Sequence, residues 1–536
     1  MRNYLLATLL LITNRWAGAQ EFAFVPSSKG SDIVELKGYK KDVAQKVFDA
    51  LIHARGDYRM QQPTLVLNKK EGDVAIFNPD GIQVVLDEKA YDICAGFGKD
   101  SINALAALLA HELIHYYEKH AWSRHFARGS EPSEVAKRIE RIEDRLKQET
   151  QADNLGGFLA FSAGFNTYGI MTKLLPKIYR EYDFQDNLPG YPSLQERLKM
   201  VDGAMTELQG LQIVFETANL LTFLGNYADA SVYHRHILQT YQSREMYNNA
   251  GVNTTLAALA LMEPTRMPYV WPLELDPSSR LFGIKNNDAE KDARIEMLLK
   301  WSMDYFERAI VLDLNYSPSY LNKACVLALK ADWEEAEDTV RKGRKKATDP
   351  QNKSDFLVLE GLLAALQQDT SKALSLWETA LKQGNRWAKT NIDILKRVPR
   401  SGVPATAPVK GLEEIEQFPL ADFLASPNPD REVKVAENIY CGMRQFAHSR
   451  IFIHYANKGK SYVVVQETQS NYPGQTLRGI KLGDTEAQVL KAYGTAPRTV
   501  GLRSGQVWIY PDSNIFFRMS PDSKVESWGV YRKSIR

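Results

Sequence analysis

His111-Glu112-Leu113-Ile114-His115 places two imidazoles and a carboxylate within little more than one turn of a predicted helix. Side chains four residues apart share a helix face, so both rings can reach one ion. Glu112, beside the first histidine, can poise a water for attack on a carbonyl. The preceding run Ser101 to Ala110 is rich in helix formers, the setting such a motif needs. With nine histidines in 536 residues, a chance HExxH is rare, on the order of 0.01 per chain. The competing reading is an ordinary amphipathic helix with surface histidines.

Two histidines leave a catalytic zinc site short of a ligand, because such zinc usually keeps three protein ligands and one position for water. A second predicted helix carries Glu149-Thr150-Gln151-Ala152-Asp153. There Glu149 can be the third ligand, and Asp153, one turn later, can orient an imidazole through its free ring N–H. Taken alone, such a pair in a charged helix is more often a solvated face, and Arg141 to Lys147 does alternate in sign. Its place after HExxH, followed by the apolar Leu155-Gly156-Gly157-Phe158-Leu159-Ala160, favours an inward-facing turn.

At this point the chain resembles a known family. His111 to His120, HELIHYYEKH, is similar to the HExGHxxxxH helix of the HtpX-like and CAAX-prenyl-protease gluzincins. Glu149 to Gly156, ETQADNLG, resembles their ExxADxxG helix, and Ala163-Gly164-Phe165-Asn166 the turn that ends it. Tyr191 to Leu198 resembles their HPxxxxR segment, and the likeness spans roughly residues 20–210. It implies zinc held by His111, His115 and Glu149, with Glu112 as base, Asp153 behind a ligand and Arg197 near the substrate. Two positions depart from the pattern. Ile114 replaces a glycine, so a bulkier group packs behind the metal, and Tyr191 stands where the family has histidine. A phenol can still donate to a developing oxyanion. His120 and His125 read as packed or capping groups rather than ligands.

The remaining segments supply the setting. Arg2, the apolar stretch Leu5 to Ile12 and the small residues Ala17-Gly18-Ala19 before Gln20 read as an export signal, against the alternative of a buried amphipathic helix. No cysteine at the cleavage point indicates a lipid anchor, and no later apolar run is of spanning length. A formal charge of +2 shows no whole-chain bias toward nucleic acid or anionic membrane. Cys94, Cys325 and Cys441 are odd in number and far apart, so they read as core packers without a disulfide framework.

Between residues 33 and 100 the pattern is α/β. A helix runs through Val43 to Leu51 and a short strand covers Thr64 to Leu67. Strands Val74 to Phe77 and Ile82 to Leu86 flank the turn Asn78-Pro79-Asp80-Gly81. The Ile82–Leu86 strand is a candidate edge for pairing with an extended substrate, or else an interior strand.

Further on, Phe306, Ala309, Ala324, Trp333 and Ala336, then Gly361, Ala373, Trp377 and Ala380, recur at helical-hairpin spacing, with an earlier hint at Gly225, Tyr227, Ala230 and Tyr233. This resembles tetratricopeptide repeats over residues 211–395, with an insertion near Glu263 to Glu290; an irregular helical domain is the alternative. Lys342 to Lys346 reads as a solvated face. Lys396 to Pro429 contains six prolines and reads as a linker. Beyond it, strands are expected at Arg450 to Tyr455, Ser461 to Gln466, Val507 to Tyr510, Asn514 to Met519 and Val525 to Tyr531. A short helix through Val489 and Tyr493 lies between them, in a block resembling the small α/β repeat of outer-membrane assembly lipoproteins and β-lactamase-inhibitor-like domains.

The expected whole is multidomain and mainly α. It has a signal peptide (1–19), an α+β gluzincin peptidase domain (20–210), an α-solenoid of tetratricopeptide-like repeats (211–395), a Pro-rich linker (396–430) and a small α/β binding domain (431–536). The expected function is that of an exported zinc metalloprotease, a hydrolase with one Zn²⁺ per chain. Its catalytic residues are Glu112, Tyr191 and Arg197, its metal ligands His111, His115 and Glu149, and Asp153 supports a ligand. Peptide or protein substrates, a protein partner in the repeat groove, and a periplasmic or envelope location follow from the resemblance. The alternative is a non-hydrolytic chaperone or scaffold with a latent or structural zinc site. A membrane-tethered prenyl-peptide protease fails for want of spanning helices.

Overall fold

A computed structural model describes residues 22–23, 33–119, 142–184, 193–263, 268–273, 288–398, 412–425, 427–456, 461–496, 498–502 and 505–534. The expected signal peptide, His120, His125 and Tyr191 fall outside these residues. Among the described residues no helix is long and apolar enough to cross a membrane. The chain divides into two compact units, Met1–Leu51 with Gln62–Ala204, and Ile52–Gln61 with Met205–Arg536.

In the first unit β1 (Phe22–Ala23) precedes α1 (Tyr39–Arg55), β2 (Thr64–Asn68), β3 (Ala75–Asn78) and β4 (Gln83–Asp87). Strands β3 and β4 form the expected hairpin, whose turn is held by Asn78 Oδ1 accepting the Asp80 and Gly81 N–H groups. The sheet order is β1-β3-β4-β2, with β2 parallel to β4. The candidate edge strand Ile82–Leu86 is therefore corrected: β4 is interior, since β3 and β2 take the backbone groups on its two sides. β1 pairs with the outer side of β3, Phe22 opposite Phe77 and Ala23 opposite Ile76.

Next come α2 (Glu88–Ala95), α3 (Ser101–Tyr117), α4 (Ile142–Ser162), α5 (Met171–Glu181) and α6 (Leu194–Phe223), whose first turns belong to this unit. From Ala104 to Tyr117 every residue of α3 is buried, which its apolar, alanine-rich sequence allows between sheet and helices. Leu105, Leu108, Leu109 and Leu113 are at most 2% exposed.

The second unit stacks helices. The rest of α6 leads into α7 (Tyr227–Thr240), which packs on α8 (Arg244–Leu261). Hairpins follow: α8 pairs with α9 (Asp288–Leu312), α10 (Ser317–Leu329) with α11 (Trp333–Arg344), and α12 (Pro350–Leu366) with α13 (Thr370–Lys382). α14 (Arg386–Leu395) closes the stack. The small residues expected at the crossings, Ala309, Ala324, Ala336, Ala373 and Ala380, have no exposed surface. Glycines serve the same purpose. A Cβ on Gly361 would sit 2.6 Å from Trp377 Cδ1, and one on Gly251 within 2.5 Å of Phe306 Cε1. The expected insertion falls inside a hairpin, between α8 and α9. Its described piece, with Trp271 and Leu273 buried, is tied to α14 where Val270 N–H donates to Asn391 Oδ1 at 2.7 Å.

The C-terminal part corrects two expectations. The stretch 412–425 is not linker: Ile415, with Leu420 and Phe423 of α15 (Leu420–Ala425), lies in the core. Nor is the domain α/β. Its eight strands are β5 (Arg431–Ala436), β6 (Ile439–Gln445), β7 (Ser449–Ala456), β8 (Ser461–Thr468), β9 (Arg498–Leu502), β10 (Gly505–Tyr510), β11 (Ile515–Met519) and β12 (Val525–Lys533). They run antiparallel in the order β5-β6-β7-β8-β12-β11-β10-β9. Consecutive strands pair as direct hairpins, as antiparallel order permits, except between β8 and β9, where the chain crosses to the far edge of the sheet and returns until β12 lies beside β8. α16 (Glu486–Tyr493) lies between β8 and β9 as expected, with Val489 and Tyr493 in the core formed with Trp528.

The sheet is fused to the start of the solenoid. Tyr233 Oη lies 2.8 Å from His454 Nδ1, and Asp229 Oδ2 lies 3.0 Å from His454 Nε2. Arg498 donates to Thr222 O at 2.9 Å, and Lys533 to Leu224 O at 2.9 Å. All three cysteines are buried thiols.

Filling a hairpin crossing tests this packing. Gly361→Ala should cost about 1–3 kcal/mol by overpacking against Trp377, seen as a lower midpoint in urea titration; an unchanged midpoint contradicts the close crossing.

Candidate metal centre

The centre rests on how closely α4 lies against α3. A Cβ added to Gly156 of α4 would stand 3.0 Å from His111 N and 3.1 Å from His111 Cα. Only hydrogen fits at that point without displacing backbone. Leu155, Phe158 and Leu159 bury the same helix, and Ala152 has no exposed surface. This contact turns Glu149 and Asp153, about two turns and one turn before Gly156, toward the histidines.

The ring nitrogens converge. His111 Nε2 lies 3.1 Å from His115 Nε2, 3.3 Å from Glu149 Oε2, and Glu149 Oε1 lies 3.7 Å from His115 Nε2. Ligand atoms from these three residues all fall within 4.8 Å of one another, and no other such group occurs among the described residues. Two imidazole nitrogens at that separation repel as lone pairs unless a proton or a cation lies between them. Around a tetrahedral zinc with bonds of about 2.0–2.1 Å, ligand atoms stand about 3.3 Å apart, a spacing these atoms bracket. The donor set fits the ion.

The outer contacts set the orientation of these ligands. Asp153 Oδ1 lies 2.8 Å from His111 Nδ1. A proton on Nδ1 donated to that carboxylate leaves Nε2 to face inward. Arg197, at the start of α6, donates to Glu149 Oε2 and also to Asp153 Oδ1 at 3.4 Å. It is 1% exposed. The geometry gives Arg197 the post of a clamp between two carboxylates, away from the place near the substrate that the resemblance implies, because its guanidinium is turned toward the ligand helix. Sequence reasoning misses this clamp and the close contact at Gly156, although Gly156 stands inside the ExxADxxG-like segment.

Burial dominates the electrostatics. His111, Glu112, His115, Glu149 and Arg197 are each at most 2% exposed. Burial opposes charge on His111, yet Asp153 and Glu149 outweigh it and push the imidazole up to about 10. Burial likewise opposes charge on Glu149, but His115, His111 and Arg197 hold its carboxyl well below the usual carboxylate range. Glu112 goes the other way. Burial pushes it up to about 8, against the opposing pull of His111. Once Glu112 ionises, its carboxylate with those of Glu149 and Asp153 against one Arg197 leaves two negative charges, which a buried site must neutralise, and a dication does so. Without one, Glu112 holds its proton up to about pH 8 and a protonated His111 balances the remaining charge. That contribution to stability is complete below pH 6.5 and is lost as pH rises through about 10.

No protein-family model matches the chain, and the search of curated proteins gives no match. Among solved structures, a thermophilic TPR protein of Thermus thermophilus is similar at 15% identity, over 48% of this chain and 96% of its own, with a TM-score of 0.20. A tetratricopeptide repeat protein from Parabacteroides merdae is similar at 16% identity over 48% and 97%, with a TM-score of 0.21. The stacked hairpins stand on their own packing.

Gly156→Val should push α4 off α3 and weaken zinc affinity at least about tenfold with helix content retained; equal affinity by competition titration contradicts the crossing. In calorimetric titrations in two buffers of different ionisation enthalpy, zinc should displace about one to two protons at pH 7, one from His111 and the rest from Glu112, and its affinity should rise with pH. A pH-independent affinity with no proton release contradicts the raised His111.

Proposed function

We propose that this chain is a zinc-dependent endopeptidase of gluzincin type, exported to the periplasm or cell envelope, with its helical repeats recruiting protein substrates or partners. The observation that carries the reading is the convergence of His111, His115 and Glu149 beside the buried Glu112. His111, His115 and Glu149 would hold the ion. When bound, it supplies Lewis-acid activation of water and of the scissile carbonyl, and favours the ionised form of Glu112.

The protein's own groups do the rest. Glu112 accepts the proton of the attacking water and returns it to the leaving amine, a role suited to a carboxyl lifted toward neutrality. Asp153 holds the His111 ring, and Arg197 fixes Glu149 so that its Oε1 faces His115. Tyr191 is the candidate donor to the oxyanion. The stacked hairpins support the partner-binding part of the reading, since such solenoids present long surfaces to other proteins.

A second reading, a chaperone or scaffold with a structural or latent zinc site, is favoured by one observation. The donor side chains are at most 2% exposed, as in closed structural sites. The two readings part on Glu112. As an enzyme, the wild type cleaves casein, and Glu112→Gln loses about 10²–10⁴-fold of that activity while keeping its zinc. Equal cleavage by both proteins, or none by a zinc-loaded wild type, overturns the peptidase reading.

A further inference from the structure

Away from the metal centre, the solenoid carries a groove of about 530 Å³ between α11, α12 and α13. Its floor is apolar: Val340 and Leu363 are each 3% exposed, and Leu376 is half-buried. Its rim is basic, with Arg341, Arg344, Lys345 and Lys372 against Glu337 and Glu360. The arginines are already engaged. Arg344 pairs with Glu360 at 2.9 Å, and Arg341 with Asp338. Lys345 and Lys372 are exposed and close no salt bridge among the described residues.

A merely solvated face needs no apolar floor, and a buried crossing needs no lysines. The fold produces both at once. Gly343 turns inward, where a Cβ would lie 2.6 Å from Phe356 Cζ, so its neighbours Arg344 and Lys345 are carried to the groove side. The basic run Lys342 to Lys346, read from sequence as one solvated face, is thereby split between two directions.

We propose that this groove binds an extended peptide segment of a partner protein in which acidic residues flank an apolar one. The apolar side chain lies over Val340, Leu363 and Leu376, and the flanking carboxylates meet Lys345 and Lys372. The volume lies in the range of pockets that take small ligands and side chains. Glu337 and Glu360 on the same rim oppose a continuous polyanion, which favours alternating acidic and apolar groups over nucleic acid. The proposal rests on the partner-binding part of the reading above and owes nothing to the metal site.

The test uses the full chain carrying Glu112→Gln and fluorescence anisotropy with a labelled octapeptide alternating glutamate and leucine. The expected result is saturable binding that weakens at least tenfold in the Lys345→Glu/Lys372→Glu variant, whose melting curve stays unchanged because both lysines are exposed. Binding should weaken further as salt is raised, and the peptide with lysine for glutamate should not bind. Binding that the double variant leaves unchanged overturns the groove while leaving repeat-mediated recruitment standing. No binding at all, or a single-stranded oligonucleotide of equal charge binding as tightly, overturns the acidic-peptide assignment. None of these outcomes bears on casein cleavage.

Discussion

The approach of α4 to α3 at Gly156 is the constraint on which the candidate centre depends. Helix axes ordinarily stand about 8–10 Å apart according to the side chains between them, and a glycine at the contact allows the near end of that range. Closing this distance puts a carboxylate from one helix among the ring nitrogens of another. Everything after that is charge balance. Three carboxylates and one guanidinium in a dry interior are tolerated only when paired, and removing one member of such a buried set typically costs about 3–5 kcal/mol. The arrangement therefore accommodates a cation as part of its own electrostatics, with Arg197 fixing one end and Asp153 the other.

The second unit follows a different rule. Its helices pack through small residues and aromatic rings, Gly361 under Trp377 and Gly251 under Phe306, which lets hairpins stack without long-range specificity. The antiparallel sheet then docks on the first helices of the stack through buried polar contacts centred on His454, Tyr233 and Asp229. Buried polar pairs specify one docking geometry in a way that apolar contact alone does not. The sheet is part of the repeat unit's architecture.

Legibility in the sequence tracks how local each signal is. The two histidine-bearing and glutamate-bearing turns are readable because ligand spacing on a helix is a local property, as are the hairpin at Asn78–Gly81 and the small residues of the repeats. What escapes a sequence reading depends on distant partners. That Ile82–Leu86 is interior rather than an edge follows from β2 pairing beside it, which no local pattern reports. Strand β5 reads REVKVA, with charged residues on its more exposed positions, too polar to stand out as a strand. Phe423 lies among prolines and small residues, so a linker-like composition hides its burial against the sheet. The sequence puts Arg197 at the substrate because its two carboxylate partners, 44 and 48 residues away, meet it only in the folded chain.

The central claim is that two imidazoles and one carboxylate from separate helices share a single divalent ion. X-ray absorption at the zinc edge, on protein loaded with one equivalent of zinc, tests it most directly. The account predicts two imidazole nitrogens and oxygen scatterers at about 2.0–2.2 Å, with one imidazole lost in His115→Ala. Zinc that washes away, or a shell of water or sulfur without histidine, would contradict it.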